Sequence, residues 1–248
     1  MSLLSTPKNL IDIHSHILPD LDDGSLNVAE TKEMLKQAYK DGIRTIIATP
    51  HFNEVRGQIA TKMLSRTRFD AIRKYVNEYQ GMKLYLGQEV CYSKNSMKLL
   101  ADGILSTLAG TNYILLEYGP KVTRDRILYS LQDALGHGYI PIIAHPERYY
   151  CVADGAISLQ ECIDAGAYIQ LNAESVTGKH GKNTQKWALE QISNGCVHFI
   201  ATDAHSSKNR KPQLSAAYRQ VENKIGTIMA KKIFIKNPGM LLKNNYLD

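Results

Sequence analysis

Cysteine is scarce in this chain, and its spacing fits no metal or redox motif. The 248 residues include four cysteines and no C-x-x-C pair, which excludes a zinc ribbon and thioredoxin-type chemistry. No arginine stands at the sixth position after any cysteine, as the Cys-x5-Arg loop of a cysteine phosphatase requires. We therefore expect reduced, partly buried thiols that take no part in catalysis.

Several other functional motifs are also missing. There is no G-x-S-x-G or H-E-x-x-H motif, and Gly181-Lys182-Asn183 lacks the hydroxyl residue and the upstream glycine of a P-loop. No stretch approaches the roughly 18 apolar residues of a membrane-spanning helix. The first eight residues lack the long apolar core of a secretory signal. These absences argue against an α/β-hydrolase, a zinc protease of the H-E-x-x-H type, a P-loop protein, and a membrane or secreted protein, and they predict a cytoplasmic location.

Acidic residues become rare towards the C-terminus. Residues 207–248 contain nine lysines and arginines but two acidic residues, whereas the whole chain carries a net charge of +6. Such a segment could contact nucleic acid, an acidic membrane surface or an acidic protein. Aromatic and basic residues do not alternate in it as in a stacking platform for bases. We interpret it as a solvated helical face and expect no nucleic-acid partner.

The length and the hydrophobic pattern predict a single α/β domain. A chain of 248 residues with 44% hydrophobic and 22% charged residues fits one α/β barrel of about 200–250 residues. Short apolar runs occur at 10–13, 44–49, 83–86, 113–117, 139–144, 167–171 and 197–201. Between them, helical spacing occurs at 27–40, 61–80, 124–135, 158–164 and 184–194. This alternation predicts a parallel sheet, and we expect it to be closed or distorted into a barrel rather than open. We expect one domain over 1–248, with a leader at 1–9 and a basic helical region at 207–248.

Nearly every predicted strand ends at a residue type that binds metals. In chain order these residues are His14, His16, Asp22 or Asp23, His51, Glu89, Glu117, His145, Asn172, Asp203 and His205. In a parallel barrel the carboxyl ends of the strands converge on one face. Residues two apart on a strand point the same way. The pair His14 and His16 can therefore bind one ion, and so can the pair Asp203 and His205. The remaining histidines, at 137, 180 and 198, are expected to be structural.

The predicted ligands are imidazoles and carboxylates without thiolates. This set suits Mn²⁺, Fe²⁺ or Zn²⁺ and disfavours copper(I) or a structural zinc site. The ligands are too many for one ion, so we expect two or three ions that share a bridging carboxylate. Three divalent ions would outweigh the surrounding carboxylates in charge and attract a phosphate dianion.

These motifs resemble a known family. Asp-x-His-x-His at 12–16, His51 and Asp-x-His at 203–205 are similar to the PHP (polymerase and histidinol phosphatase) superfamily of metal phosphoesterases. Ile-Asp-Ile-His-Ser-His-Ile-Leu-Pro at 11–19, followed by Asp-Asp-Gly at 22–24, resembles more narrowly the bacterial capsule-type tyrosine phosphatases, the CpsB/CapC/YwqE group. His-Pro-Glu-Arg-Tyr at 145–149 and Thr-Asp-Ala-His at 202–205 agree with that group. The resemblance extends from about residue 11 to residue 238.

The resemblance implies a distorted (β/α)7 TIM-like barrel with a trinuclear, usually manganese, centre. It implies three groups of ligands: His14, His16, Glu89 and Asp203; Asp23, His51 and His205; and Glu89 as a bridge with Glu117 and His145. Asp23 is preferred to Asp22 because the family's acid directly precedes the glycine. Arg148 and Arg210 match phosphate-binding arginines. Tyr149 and Tyr150 could either flank a substrate ring or simply pack.

The function implied by the resemblance is metal-dependent hydrolysis of phosphotyrosine. The expected substrate is the tail of a bacterial tyrosine kinase that controls capsular or exopolysaccharide synthesis. Carboxylates at Asp23 and Glu117, where many superfamily members have histidine, count against the alternative of a small-molecule phosphatase such as histidinol-phosphatase. Two further alternatives are a module that binds a phosphorylated tail without hydrolysis and a nucleic-acid phosphoesterase that uses the basic C-terminal region.

Overall fold

The computed structural model describes residues 7–247. Most of the predicted leader at 1–9 therefore lies outside the described residues. The strands are β1 Leu10–Ser15, β2 Ile43–Ala48, β3 His51–Asn53, β4 Gln58–Ile59, β5 Lys83–Leu86, β6 Glu89–Cys91, β7 Tyr113–Glu117, β8 Ile140–Ala144, β9 Tyr168–Asn172 and β10 Phe199–Ala201. The α-helices are α1 Val28–Lys40, α2 Lys62–Val76, α3 Ser96–Ala101, α4 Arg124–Gly136, α5 Tyr150–Ala153, α6 Leu159–Asp164, α7 Ala173–Thr177, α8 Lys182–Ser193, α9 Ser215–Lys224, α10 Thr227–Lys231 and α11 Asn237–Leu241.

The strands form two sheets that are parallel except for one pair. One sheet has the order β1-β2-β5, and the other has the order β10-β9-β8-β7-β6-β3-β4, in which β3 and β4 are antiparallel. Helices follow most of the strands, as parallel connections require. The chain is therefore an α/β protein with a mostly parallel sheet, as the alternation of apolar runs predicted.

Two connections join the sheets. Strand β2 leads into β3, and β5 leads into β6, each after two intervening residues. On the other side, Ser15 forms a parallel bridge with Ala204. There the backbone N–H of His16 donates to the carbonyl of Ala204 at 2.8 Å, and that of Asp203 donates to the carbonyl of His14 at 2.9 Å. The ends of β1 and β10 are thus held side by side.

The seven predicted strands are all present, but the sequence analysis missed the three short strands β3, β4 and β6. Strands of two or three residues are too short to show an alternating pattern. The bend between β5 and β6 also depends on close packing, since a Cβ atom on Gly87 would lie 2.8 Å from side-chain atoms of Ile47 and Leu108. Helix α2 ends at Val76, earlier than the predicted limit of residue 80.

Alternation along the strands separates two layers of the core. On β7, Tyr113 and Leu115 lie in an inner apolar cluster, while Ile114 and Leu116 belong to the larger cluster beneath the helices. Glu117 continues the inner face of the same strand. The inner face is therefore apolar towards the amino ends of the strands and becomes polar at their carboxyl ends, where the predicted ligands lie.

The helices cover the outer face with their apolar stripes. Thr123 caps the start of helix α4, because its side chain accepts a hydrogen bond from the backbone N–H of Arg126. The helix buries Ile127, Leu131 and Ala134. Positions three or four apart form one face of a helix, so this spacing explains both the prediction and the packing. Burying such side chains stabilises the fold by about 25 cal/mol per Å² of apolar surface.

The basic C-terminal region is packed against the rest of the chain. Ile233 and Phe234, in the π-helical segment Lys232–Lys236, are fully buried, as is Leu241 in α11. The amide of Asn237 donates to the carbonyl of His198 at 2.9 Å. Among residues 7–247, no helix is both long enough and apolar enough to cross a membrane.

Candidate metal centre

Glu89 lies where the carboxyl ends of the strands converge, and its side chain is fully buried. Its Oε2 atom lies 3.1 Å from Nε2 of His14, 3.2 Å from Nε2 of His16 and 3.0 Å from Nδ1 of His51. Its Oε1 atom lies 2.7 Å from Nε2 of His145. One carboxylate thus contacts four imidazoles from three strand ends, since His14 and His16 both lie at the end of β1. This is the arrangement expected of a bridging ligand.

The first group of potential ligands comprises His14, His16, Glu89 and Asp203. These four buried residues each offer a ligand atom, and the four atoms lie within 4.8 Å of one another. The two histidine Nε2 atoms are 3.2 Å apart, so the His-x-His pair points one way, as the strand geometry predicted. The composition of this group is the same as that implied by the family resemblance.

The second group contains the three predicted residues Asp23, His51 and His205, together with His16. Oδ1 of Asp23 lies 3.4 Å from Nε2 of His51 and 3.6 Å from Nε2 of His205. The ring centroids of His16 and His205 are 3.9 Å apart. His16 therefore stands between the first two groups.

The third group contains Glu89, Glu117 and His51. Oε1 of Glu117 lies 3.2 Å from Nδ1 of His51. His145 was predicted in this group and is placed against Glu89, but it is not among the three residues whose ligand atoms cluster. His51 takes part here because its two ring nitrogens face different carboxylates.

Asp22 and Asp23 have different surroundings. Oδ2 of Asp22 accepts a hydrogen bond from the backbone N–H of His51 at 2.9 Å and lies 2.8 Å from Nδ1 of His16. Its other oxygen accepts from the backbone N–H of Gly24 at 2.9 Å. Asp22 therefore organises the turn and orients His16 from behind, whereas Asp23 belongs to the second group of potential ligands.

A chain of amides supports the first group. Oε1 of Gln170 lies 2.9 Å from Nδ1 of His14, the amide of Gln170 donates to Asn172, and the amide of Asn172 donates to Asp203 at 2.8 Å. Such partners fix the ring orientation of a ligating histidine. Asn172 was predicted from the sequence as a strand end, whereas Gln170 was not predicted. Gln170 could have been found from the sequence, because it stands two residues before Asn172 on β9 and therefore lies on the same face of the strand.

Asp12, the first residue of the Asp-x-His-x-His motif, joins β1 to the segment after β10. It accepts hydrogen bonds from the backbone N–H of Thr202 at 2.9 Å and from the hydroxyl of Thr202. Burial raises the pKa of Asp12 to about 6, although the hydrogen bonds from Thr202 oppose this change. Asp12 positions its neighbours and lies in none of the three ligand groups.

His145 reaches the centre because its backbone is left-handed. Ala144 and Ile142 belong to the inner cluster, so regular alternation would turn the next side chain away from the interior. At His145, however, φ is 34° and ψ is 55°. Asp203 is also left-handed, with φ of 51°. Non-glycine residues in this region cost of order 1–3 kcal/mol and tend to occur at functional sites.

The two predicted arginines lie beside the first group. Nη2 of Arg148 is 3.0 Å from Oδ2 of Asp203, and Nη2 of Arg210 pairs with the same oxygen. Both arginine side chains are about one-third exposed, so they can reach a ligand that arrives from solvent. Arg210 is held near the site by its own loop, since its carbonyl accepts from the backbone N–H of His205 at 2.9 Å.

The electrostatics of the centre favour bound cations. Burial opposes ionisation of Glu89, but His14 and His51 keep its pKa well below the usual range. Burial would lower the pKa of His51, yet Glu89 and Glu117 raise it to about 10. A proton on His51 therefore balances the carboxylates where a metal ion could do so, and an ion would compete with this proton.

The hydrogen bonding of the centre fits the same ligands. Among the described residues, four buried atoms of the centre have no hydrogen-bond partner: Nδ1 of His51, Oε2 of Glu89, Nδ1 of His145 and Nε2 of His205. Buried polar atoms are rarely left without a partner. Buried imidazole and carboxylate atoms that lie close together without a hydrogen-bond partner are what a multinuclear metal site would present.

The remaining predicted side chains lie outside the centre. Tyr149 is buried and donates to the carbonyl of Ala144 at 2.7 Å, so it packs, whereas Tyr150 is 59% exposed. His137, His180 and His198 join none of the three groups among the described residues, as expected. All four cysteines are free, and only Cys91 is more than slightly exposed.

Fold and site together define an α/β protein built around a centre of histidines and carboxylates that could hold several ions. The sequence profile of the family described as "Capsular polysaccharide synthesis, CpsB/CapC" matches residues 10–243. The chain therefore belongs to the CpsB/CapC family, which confirms the resemblance.

Characterised relatives match over nearly the whole chain. The putative tyrosine-protein phosphatase CapC of Staphylococcus aureus is 32% identical, covering 96% of this chain and 93% of its own length. The tyrosine-protein phosphatase CpsB of Streptococcus pneumoniae is 30% identical, covering 96% of this chain and all of its own. Both are thus similar to this chain from end to end.

Solved structures agree. The crystal structures of YwqE from Bacillus subtilis and CpsB from Streptococcus pneumoniae, described as metal-dependent tyrosine phosphatases, match with a TM-score of 0.89, 32% identity and 96% coverage of both chains. The histidinol phosphate phosphatase of Lactococcus lactis matches with a TM-score of 0.54 and 13% identity, over 89% of this chain and 93% of that one. The latter likeness concerns the fold alone.

Proposed function

We propose that this protein is a metal-dependent protein-tyrosine phosphatase. The observation that carries the proposal is the set of three ligand groups, of which each pair has one residue in common, His16, His51 or Glu89. Two arginines lie beside them. Relatives that match over the whole chain are tyrosine-protein phosphatases. A centre rich in cations and a pair of guanidinium groups suit a phosphate monoester dianion.

The proposed metal ligands are the nine residues inferred from the sequence. They are His14, His16, Asp23, His51, Glu89, Glu117, His145, Asp203 and His205. We propose Mn²⁺ as the ion, because the donors are imidazoles and carboxylates without thiolate, although Fe²⁺ and Zn²⁺ suit the same donors. When bound, such ions supply a positive field and an activated water.

The fold that we propose for this activity is a distorted (β/α)7 barrel in a single PHP-type domain. Continuity of β2 with β3 and of β5 with β6, together with the bridge between Ser15 and Ala204, supports a ring of seven strands. The ligands would then lie at the carboxyl ends of the strands, where barrel enzymes have their active sites.

The side chains of this protein have distinct parts in the proposed reaction. Arg148 and Arg210 bind peripheral phosphoryl oxygens, because a planar guanidinium donates two parallel charge-assisted hydrogen bonds. Gln170 and Asp22 hold the rings of His14 and His16 in place. In the net reaction, a water oxygen bonds to phosphorus, the bond from phosphorus to the tyrosyl oxygen breaks, and that oxygen gains a proton.

The proposed substrate is the phosphorylated tail of a bacterial tyrosine kinase that controls capsule or exopolysaccharide synthesis. We propose that the protein acts on it in the cytoplasm. The description of the family refers to capsular polysaccharide synthesis, which supports this context. The small-molecule alternative, histidinol phosphate, has weaker support, since the matching histidinol phosphatase shares 13% identity.

A comparison of substrates tests the proposal. Purified protein loaded with Mn²⁺ should hydrolyse free phosphotyrosine and phosphotyrosine peptides much faster than phosphoserine peptides or histidinol phosphate. Asp203→Asn should lower the rate strongly, while the surface substitution Asp70→Asn should leave it unchanged. Preferential turnover of histidinol phosphate would favour the small-molecule alternative, and binding of phosphopeptides without phosphate release would favour a binding module.

A further inference from the structure

A cleft of about 480 Å³ opens beside the candidate metal centre. Three tyrosines, Tyr92, Tyr118 and Tyr150, supply much of its lining, and Lys121 and Arg126 contribute the positive charges. None of the nine proposed metal ligands and neither of the two phosphate-binding arginines lines it. It is therefore a feature that the proposed hydrolysis does not itself explain.

The cleft is continuous with the centre along the chain. Cys91, at its inner end, pairs with Glu117 in the register of β6 and β7, and Tyr118 follows Glu117 directly. Tyr150 lies two residues after Arg148. A ligand in the cleft and a phosphoryl group at the centre would therefore be close enough to belong to one substrate molecule.

The walls of the cleft are held in place by hydrogen bonds. The hydroxyl of Tyr92 donates to Asp133 at 2.8 Å, and the hydroxyls of Tyr118 and Ser130 are bonded to each other. The backbone N–H of Tyr150 donates to the carbonyl of Pro120 at 2.9 Å. A cleft that is formed before binding loses less conformational entropy when a ligand enters.

Two cations line the cleft, and neither has an acidic partner among the residues that the structure describes. The guanidinium carbon of Arg126 lies 5.0 Å from the ring centroid of Tyr92, and Nη2 donates to the carbonyl of Tyr92 at 3.4 Å. Among residues 7–247, no carboxylate oxygen lies within 4.0 Å of Arg126 or Lys121. By contrast, Arg124 on the same helix pairs with both Asp125 and Glu161.

We infer that this cleft binds an acidic segment of the protein substrate directly beside the phosphotyrosine. Carboxylates of that segment pair with Lys121 and Arg126, and its chain lies against the tyrosine rings. The inference rests on the proposed function, since the phosphotyrosine is what brings the segment to the cleft. The charge of the cleft and its continuity with the centre favour an acidic occupant over a neutral or basic one.

Kinetics with matched peptides test the inference. Three phosphotyrosine peptides would carry glutamates before the phosphotyrosine, glutamates after it, or glutamines at all these positions. For the wild-type protein, one of the acidic peptides should have a kcat/KM roughly 5-fold or more above that of the neutral peptide, mainly through KM. This preference should fall with increasing salt, because exposed charges are screened.

Substitutions test whether the preference for acidic peptides arises from the two cations of the cleft. Lys121→Gln combined with Arg126→Gln should bring the ratio of acidic to neutral kcat/KM close to one. Arg124→Gln, which removes a paired arginine from the same helix outside the cleft, should keep the wild-type ratio. A wild-type ratio near one, or a ratio that survives the double substitution, would overturn the inference.

Hydrolysis of free phosphotyrosine by the wild-type protein separates the two proposals. If free phosphotyrosine is hydrolysed but acidic and neutral peptides react equally, the proposed function stands and the inference about the cleft is wrong. If neither free phosphotyrosine nor any of the peptides is hydrolysed, the proposed function is wrong and the inference fails with it.

Discussion

Oδ2 of Asp203 lies 3.0 Å from Nη2 of Arg148. The other oxygen of the same carboxylate, Oδ1, faces His14 at 3.4 Å and His16 at 3.5 Å. Each oxygen of Asp203 therefore contacts a different set of groups, the histidines on one side and the arginines on the other. This single residue links the candidate metal centre to the proposed phosphate clamp.

Arg148→Ala should impair catalysis while the protein keeps its metal. The substitution removes a charge contact to the phosphoryl group, so kcat/KM for phosphotyrosine should fall by roughly 10²-fold or more. Lysine should rescue only in part, because it cannot form the two parallel hydrogen bonds. Metal analysis and steady-state kinetics check this, with Arg66→Ala on the surface of α2 as the control. Wild-type kinetics in Arg148→Ala would refute the clamp.

Glu89→Ala should remove more metal than Glu117→Ala. Glu89 contacts four histidines at three strand ends, so its loss should release more than one equivalent of metal. Glu117 contacts one histidine of the centre, and its loss should release about one. Metal content by mass spectrometry after equilibration with Mn²⁺ measures both, with Glu78→Gln as the control. Equal losses from the two variants would contradict the bridging role of Glu89.

Asp22→Ala and Asp23→Ala should differ in their effect on folding. Asp22 bonds two backbone N–H groups and His16, so its loss should lower the melting temperature even in metal-free protein. Asp23 is half-exposed and faces His51 and His205, so its loss should reduce metal content with little effect on metal-free stability. Calorimetry of chelated protein, together with metal analysis, distinguishes them. The reverse pattern would make Asp22 the ligand.

Blocking the thiols should matter little. Burial, with Glu117 and Glu89 nearby, raises the pKa of the Cys91 thiol to about 12, so it is protonated at neutral pH and is a poor nucleophile. Cys91→Ser should retain most of the activity, whereas a chelator should abolish it and added Mn²⁺ should restore it. Complete inactivation of Cys91→Ser with its full metal content would point to a covalent mechanism instead.

His198, which lies outside the metal centre, should make the stability of the protein depend on pH. Burial, with Lys232 nearby, lowers its pKa from 6.5 to about 4, and its Nδ1 accepts from the backbone N–H of Ile169 at 3.1 Å. Between pH 4 and 6.5 the unfolded chain binds more protons than the folded one. The free energy of unfolding should therefore fall as the pH drops through this range, by about 1.4 kcal/mol per pH unit from this residue.

The variant His198→Asn checks this assignment. Asparagine can still accept the hydrogen bond but does not titrate, so the pH dependence of its unfolding free energy should be shallower between pH 4.5 and 6.5. Urea unfolding of the chelated wild type and variant across this range measures the difference between their pH dependences. All other titrating groups contribute equally to the two proteins. Identical slopes would show that His198 is protonated in the folded protein as readily as in the unfolded one.

Much of the fold and the site was accessible from the sequence. The alternation of apolar runs with helical stretches depends on local periodicity, and all seven predicted strands are present. The ligand types follow the strands directly in the chain, and the carboxyl ends of parallel strands must lie at the same edge. For this reason, spacing predicted that His14 and His16 point the same way and that Asp203 lies at the same edge, whereas their grouping around one ion was implied by the family resemblance.

Other features depended on contacts between distant parts of the chain. The bend at Gly87 depends on side chains of Ile47 and Leu108, and the left-handed backbone of His145 turns its ring towards Glu89. Neither leaves a periodic signal, because each is set by packing between residues far apart in sequence.

The sequence by itself determined the kinds of side chain that would gather at the strand ends and the family to which the chain belongs. Only the tertiary structure decided their relations: Asp22 lies behind His16, Asp23 faces His205, and Arg126 lies in a tyrosine-lined cleft. Local propensity sets the elements, but the distances between side chains on different elements follow from how the core packs, and spacing along the chain does not encode those distances.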